Sequence, residues 1–233
     1  IVLCACARLS AQEYPYDVAQ YPFVDYSKAK MIFCGDSSKF ERLYAKLDSM
    51  IIFGKGSITV AQVGGSHTQA DVFSNQVRYR LQTFHPGLVG SRGFVFPYRM
   101  CKSNNPSNYS VKYSGSWAAC RNVEYRRSCE LGISGASATT SDSTASIIVS
   151  MNPRNPIKYD FNVVKVFMPP HWVMYDIEPA PEMGPYTLQR DDSVGCSTFT
   201  FSNYQDAASF RLRKTSDNQQ SFTLYGMSLE NDN

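Results

Sequence analysis

Apolar residues recur along this chain in two different rhythms, and the change falls near residue 105. Before it, the spacing is that of helices. Asp36, Ser37 and Ser38 offer capping side chains for a helix of about 38–50, whose Phe40, Leu43, Tyr44, Leu47 and Met50 share one face. Gly54-Lys55-Gly56 then turns the chain, and residues 57–63 (SITVAQV) form a β-rich apolar run of the kind buried in a parallel sheet. Gly64 and Gly65 interrupt that run. A second helix is predicted over 70–84, with Phe73, Val77, Leu81 and Phe84 as its stripe. Strand, tight glycine turn and helix make half of a doubly wound α/β unit. Upstream, residues 13–33 are tyrosine-rich, and Pro15 and Pro22 predict an extended lead-in.

After residue 105 the rhythm becomes two. The runs SIIVSM, FNVVKVFM, STFTFS, ASFRLRK and SFTLYGM alternate or are β-rich, and turn-forming stretches such as NNPSNY and GISGASATTSDSTAS separate them. No amphipathic helix stands out between 105 and 230. Together the two halves predict an α/β domain, flavodoxin-like and three-layered but only partly represented, with an inserted all-β sandwich of jelly-roll type. The expected boundaries are 1–12 for a leader remnant, 13–105 for the first part of the α/β domain, 106–230 for the sandwich, and 231–233 for the return to the α/β domain.

Composition narrows the classes. With 43% hydrophobic and 18% charged residues, the 233-residue chain is globular in type. Its net charge of +3 comes from mixed signs, which gives no support for nucleic-acid binding. No apolar run approaches the ~20 residues that span a bilayer. The opening IVLCACARLSAQ reads as the tail of a secretory signal cut after Ala11, although a buried N-terminal strand has the same composition. Leu3-Cys4-Ala5-Cys6 resembles a lipobox that would place a lipid anchor on Cys6. An exported protein, periplasmic or cell-surface, is expected. Five further cysteines lack metal-ligand spacing. Cys120 and Cys129 lie close enough to pair across a loop, and free buried thiols fit equally.

Candidate chemistry concentrates in Gly64-Gly65-Ser66-His67-Thr68-Gln69-Ala70-Asp71. A serine on a glycine turn that opens a helix combines close substrate approach with free backbone N–H groups for an oxyanion. A helix N-cap is the plainer role for the same serine. This segment, VAQVGGSHTQADVFSNQVRYRLQ, resembles the serine block of the SGNH/GDSL hydrolase family, whose usual form is an apolar strand followed by GDSH-T/V-Q-A. The stretches 92–98 (RGFVFPY), 105–109 (NPSNY) and 225–231 (YGMSLEN) resemble its exported Bacteroidetes branch, related to peptidoglycan O-acetylesterases, in which a carbohydrate-binding-like sandwich interrupts the hydrolase domain.

The resemblance implies a serine esterase that removes O-acyl groups, in first place O-acetyl, from a carbohydrate or peptidoglycan, without metal or cofactor. Ser66 would be the nucleophile, Gly64, Gly65 and His67 its turn and oxyanion support, and Gln69, Arg92 and Trp117 substrate contacts. Gly65 stands where the family has Asp. The family's late Asp-x-x-His has no counterpart around His67, His85 or His171, so the catalytic pair and the remaining oxyanion donors are expected past Asn233, and the 233 residues alone are expected to be inactive. An earlier Gly35-Asp36-Ser37 lacks the following His and Gln and is better explained as a helix cap. Trp117 with Tyr109, Tyr113 and Tyr125 suggests a sugar-stacking platform, or simply sandwich core. His171-Trp172 is a surface-loop candidate. The competing reading is a non-catalytic exported carbohydrate-binding or surface protein with a degenerate serine block.

Overall fold

The computed structural model describes residues 21–28, 32, 34–124, 127–170, 175–215 and 221–232. The leader, Cys6, Tyr125, His171 and Trp172 lie outside the described residues. The chain divides into two compact units: residues 1–59 with 83–88, and residues 60–82 with 89–233.

In the first unit, α1 (Ser38–Phe53) starts where the polar cluster predicts. Asp36 Oδ1 accepts from the Ser38 N–H and hydroxyl at 3.1 and 2.6 Å, and Ser37 Oγ donates to Glu41 Oε1 at 2.7 Å. The Gly35-Asp36-Ser37 motif is thus engaged in starting a helix. Gly54 closes α1 in the left-handed region at φ 61°, its N–H on the Met50 carbonyl. None of α1's residues is buried. No helix among the described residues is long and apolar enough to cross a membrane.

The second unit is antiparallel β with two short helices. These are α2 (Ser66–Ala70) and α3 (Val72–Thr83). Its strands are β1 (Gly93–Val95), β2 (Tyr109–Ser114), β3 (Ala118–Arg121), β4 (Ala136–Thr140), β5 (Ser146–Met151) and β6 (Phe161–Phe167), followed by β7 (Tyr175–Pro179), β8 (Tyr186–Asp191), β9 (Cys196–Gln205), β10 (Ala207–Lys214), β11 (Phe222–Leu224) and β12 (Gly226–Glu230). They form a five-stranded sheet β1-β12-β6-β9-β8, a four-stranded sheet β2-β5-β10-β7 and a three-stranded sheet β11-β4-β3. Every ladder is antiparallel.

All three sheets send alternate residues into one core. Phe161, Val164 and Phe199 come from the first, Ile147, Val149 and Phe210 from the second, and Ala138, Phe222 and Leu224 from the third. Period-two alternation in the sequence is what lets each strand bury one face and wet the other. Across two sheets, Asp176 on β7 accepts from Arg190 on β8 at 2.6 Å and from Arg213 on β10 at 2.9 Å.

This architecture overturns the expected three-layer, flavodoxin-like α/β class with its inserted sandwich. Residues 57–63 form no strand, and six of the seven are exposed. β-branched apolar residues favour extended chain, yet a strand exists only when a neighbour takes up its backbone N–H and C=O groups. Among the described residues no strand pairs with this one, and no parallel ladder forms. The single helix predicted over 70–84 is also divided. Asp71 takes φ 55° and separates α2 from α3. The stripe assigned to a core is open: Phe73, Leu81 and Phe84 are 65%, 40% and 48% exposed. It is the polar side of α3, carrying Ser74, that is buried.

Candidate functional site

Ser66 is the first residue of α2 and is exposed, as are Gly64, Gly65 and His67. Gly65 is the N-cap, and its carbonyl accepts from the Thr68 and Gln69 N–H groups at 3.0 and 3.1 Å. The Ser66 N–H precedes the first intrahelical bond and has no backbone acceptor among the described residues. Ser66 Oγ likewise lacks a described partner. The serine therefore caps nothing: neither its hydroxyl nor its N–H is taken up by a described group. At Gly64 a side chain would meet Thr68 Oγ1, which would have to rotate away.

Residues 69–71, just beyond the serine, are held tightly. Gln69 Nε2 donates to Ser103 Oγ at 2.8 Å and to the Asn104 carbonyl at 3.3 Å. Two residues on, Asp71 is 4% exposed and sits at the centre of a polar cluster. Arg92 Nη2 reaches Asp71 Oδ2 at 2.9 Å, Arg78 Nη2 reaches Oδ1 at 3.1 Å, and Asn108 Nδ2 donates to Oδ2 at 2.5 Å. Ser74 Oγ also donates to Asp71.

The cluster extends outward in both directions. Arg92 donates to Asn108 Oδ1 at 3.0 Å and to the Phe94 carbonyl at 2.9 Å. Tyr159 OH donates to Asn75 Oδ1 at 2.8 Å, and the Arg78 guanidinium lies 5.8 Å from the centre of the Tyr159 ring. Burial alone would raise the Asp71 carboxyl; the Arg92 charge and the hydrogen bonds from Arg78 and Ser74 outweigh it and hold the group below its usual range. Burial and the neighbouring Arg78 charge lower the Arg92 guanidinium from its ordinary value.

These contacts join segments that the sequence keeps apart. Arg92 and Asn108 meet the serine block on the Asp71 carboxylate, Asn104 joins it through Gln69, and Tyr159 beside β6 joins it through Asn75. Comparison with protein-family models and with curated proteins finds no match for the chain.

The expected site residues therefore fall into three groups. Ser66, Gly64, Gly65 and His67 are open at the head of α2. Gln69 and Arg92, expected as substrate contacts, are bound to the protein itself, and Arg92 is 7% exposed. Trp117 is partly buried against the core, with its ring 6.4 Å from that of Phe222 and its Nε1 donating to the Ser114 carbonyl at 2.8 Å. Tyr109 is 4% exposed with its hydroxyl on the Phe96 carbonyl. Of the platform rings, Tyr109 is shut in, Trp117 is partly open, Tyr113 is 43% exposed, and Tyr125 lies outside the described residues.

His85 belongs to the first unit, where its Nδ1 accepts from the Gly87 N–H at 3.2 Å. Asp71, Arg78, Asn108 and Tyr159 were not singled out by sequence reasoning. The available signal was Arg92 itself: an arginine beside the apolar run 94–97 needs a carboxylate if it is buried.

Cys120 and Cys129 form a disulfide, closing a loop between β3 and β4. Cys101 is buried, which pushes its thiol up to about 11.

Proposed function

We propose that Ser66 is the nucleophile of a serine carboxylic-ester hydrolase, exported by the cell, that removes O-acyl groups, in first place O-acetyl, from a carbohydrate or peptidoglycan. The observation that carries the reading is the state of Ser66. Its hydroxyl is open and unpartnered at the head of a helical turn whose next residues, Gln69 and Asp71, are pinned by long-range hydrogen bonds. A nucleophile must be reachable by substrate yet fixed in position, and that combination separates it from a capping serine.

In this scheme Ser66 Oγ gives its proton to a general base and bonds to the acyl carbon. The oxyanion then rests on the Ser66 N–H together with further donors, and the sugar hydroxyl departs carrying the proton. Water next attacks the acyl-enzyme, releases the acid and restores the serine. The Asp71 cluster does not touch the reacting atoms; it anchors the residue at which α2 ends.

The test is hydrolysis of acetylated amino-sugar oligosaccharides by the protein as the cell makes it. Ser66→Ala is expected to lower kcat/KM by about 10³-fold or more while leaving the melting temperature in place. Unchanged turnover in that variant ends the assignment. A second reading, a non-catalytic exported carbohydrate-binding protein, is favoured by one observation: no described side chain is placed to accept the Ser66 proton. Glycan binding without acetate release by the wild-type protein selects it.

A further inference from the structure

The three-stranded sheet β11-β4-β3 has two faces of different character. Ala136 and Ala138 of β4 and Phe222 and Leu224 of β11 belong to the core. Alternation along the strands therefore turns Ser137, Thr139 and Thr223 to the opposite face. Register brings them together: Thr139 stands between Ala118 and Thr223, and Cys120 stands beside Ser137. Because these outer side chains are small, a trough of about 340 Å³ remains over the sheet, at the lower end of the size range of small-ligand sites.

The far wall is the loop closed by the disulfide, which brings Arg127 and Glu130 to the same cavity. That wall is fixed at several points. Besides the Cys120–Cys129 bond, Arg127 Nη1 donates to the Ala119 carbonyl at 2.8 Å, the Gly132 N–H donates to the Ala136 carbonyl at 3.0 Å, and Tyr225 OH donates to Glu130 Oε2 at 2.7 Å. The cavity is thus built before any ligand arrives.

Its chemistry is specific. Ser137 lines the trough and is only 3% exposed, yet its hydroxyl has no hydrogen-bond partner among the described residues. That hydroxyl is not sealed inside the protein, so it is open to a polar atom entering the trough. Above it, Glu130 Oε1 remains a free acceptor, Arg127 keeps N–H groups beyond the one spent on Ala119, and the Thr139 and Thr223 hydroxyls, 2.9 Å apart, form a polar strip along the floor. One cation and one anion lining the same cavity offset each other toward an ionic ligand. They suit vicinal hydroxyls, which donate to the carboxylate while accepting from the guanidinium.

We infer that the trough between the outer face of β3-β4-β11 and the Cys120–Cys129 loop is a binding site for one neutral sugar residue, held by hydrogen bonds with Ser137, Thr139, Thr223, Arg127 and Glu130. No aromatic ring among the described residues lines it. The site is separate from Ser66 and does not rest on the esterase reading.

Titration of the ¹⁵N-labelled protein with glucose, galactose and N-acetylglucosamine, set against glucuronate and glucosamine, tests it. At least one neutral sugar is expected to bind with a dissociation constant of about a millimolar and to shift amides of β3, β4, β11 and residues 127–132. Glu130→Gln is expected to weaken that binding about tenfold and Ser137→Ala a few-fold, both with an unchanged melting temperature. Thr223→Leu, which fills the trough, is expected to remove it. The inference is overturned if no neutral sugar moves these amides at millimolar concentrations, if the charged sugars bind more tightly, or if Ser137→Ala and Glu130→Gln bind as the wild type does. None of these outcomes bears on acetate release, so the two proposals fail separately.

Discussion

Asp71 is a single carboxylate that accepts from two arginines, an asparagine and a serine. Removing its charge by Asp71→Asn leaves Arg92 buried without its counter-ion, a change expected to destabilise the second unit by about 3–5 kcal/mol in urea unfolding. The pH dependence has a definite sign. The folded Asp71 carboxyl lies below its usual value, so its contribution is present above the unfolded value of 3.8 and declines as pH falls below it toward the folded one. Wild-type urea midpoints should therefore drop on acidification from about pH 5 downward, and Asp71→Asn should flatten that part of the profile. An equal slope in both proteins would remove Asp71 from the account of acid stability.

This cluster was only partly visible in the sequence. Arg92 stands out in the sequence, but its partner Asp71 lies in another segment and only folding brings the two together. Ser66, Gln69 and Asp71 stand within six positions, yet sequence order does not say which of them faces solvent and which the β unit.

Among the elements, the strands were the readable part. Alternating runs such as 146–151 and 207–214 each bury every second residue or nearly so, and a pattern tied to one face survives any choice of neighbour. The run 57–63 misled for the complementary reason. Its residues favour extended chain, but pairing is a property of two segments, and none of the described strands joins it.

The Cys120–Cys129 loop is an element with a measurable role. A disulfide across nine residues is expected to contribute about 2–3 kcal/mol through the entropy of the unfolded chain. Cys120→Ala with Cys129→Ala should lower unfolding stability by that amount, and an unchanged urea midpoint would mean that the loop is held by its other contacts. In β12, Gly226 adopts φ 142° against the Phe94 ring and the Val95 carbonyl. Gly226→Ala is expected to cost about 1–3 kcal/mol, read as a lower melting temperature.

For the molecule as a whole, the second unit owns both proposals. The three antiparallel sheets share one core, the serine block is tied to it through Asp71 and Gln69, and the trough lies on the outer face of the smallest sheet. The predicted division near residue 105 rested on a change of rhythm. The contacts instead assign residues 60–82 and 89–105 to the same compact unit as the later strands. Polar hydrogen bonds made that attachment, and hydrophobic periodicity does not register them.

The central claim is that Ser66 is an activated nucleophile, and covalent labelling tests it most directly. The protein as the cell makes it is treated with a fluorophosphonate and mapped by peptide mass spectrometry. The expected result is one phosphonylated residue, Ser66, with no adduct in Ser66→Ala. A folded wild-type protein that acquires no adduct, or acquires it on another residue, contradicts the claim.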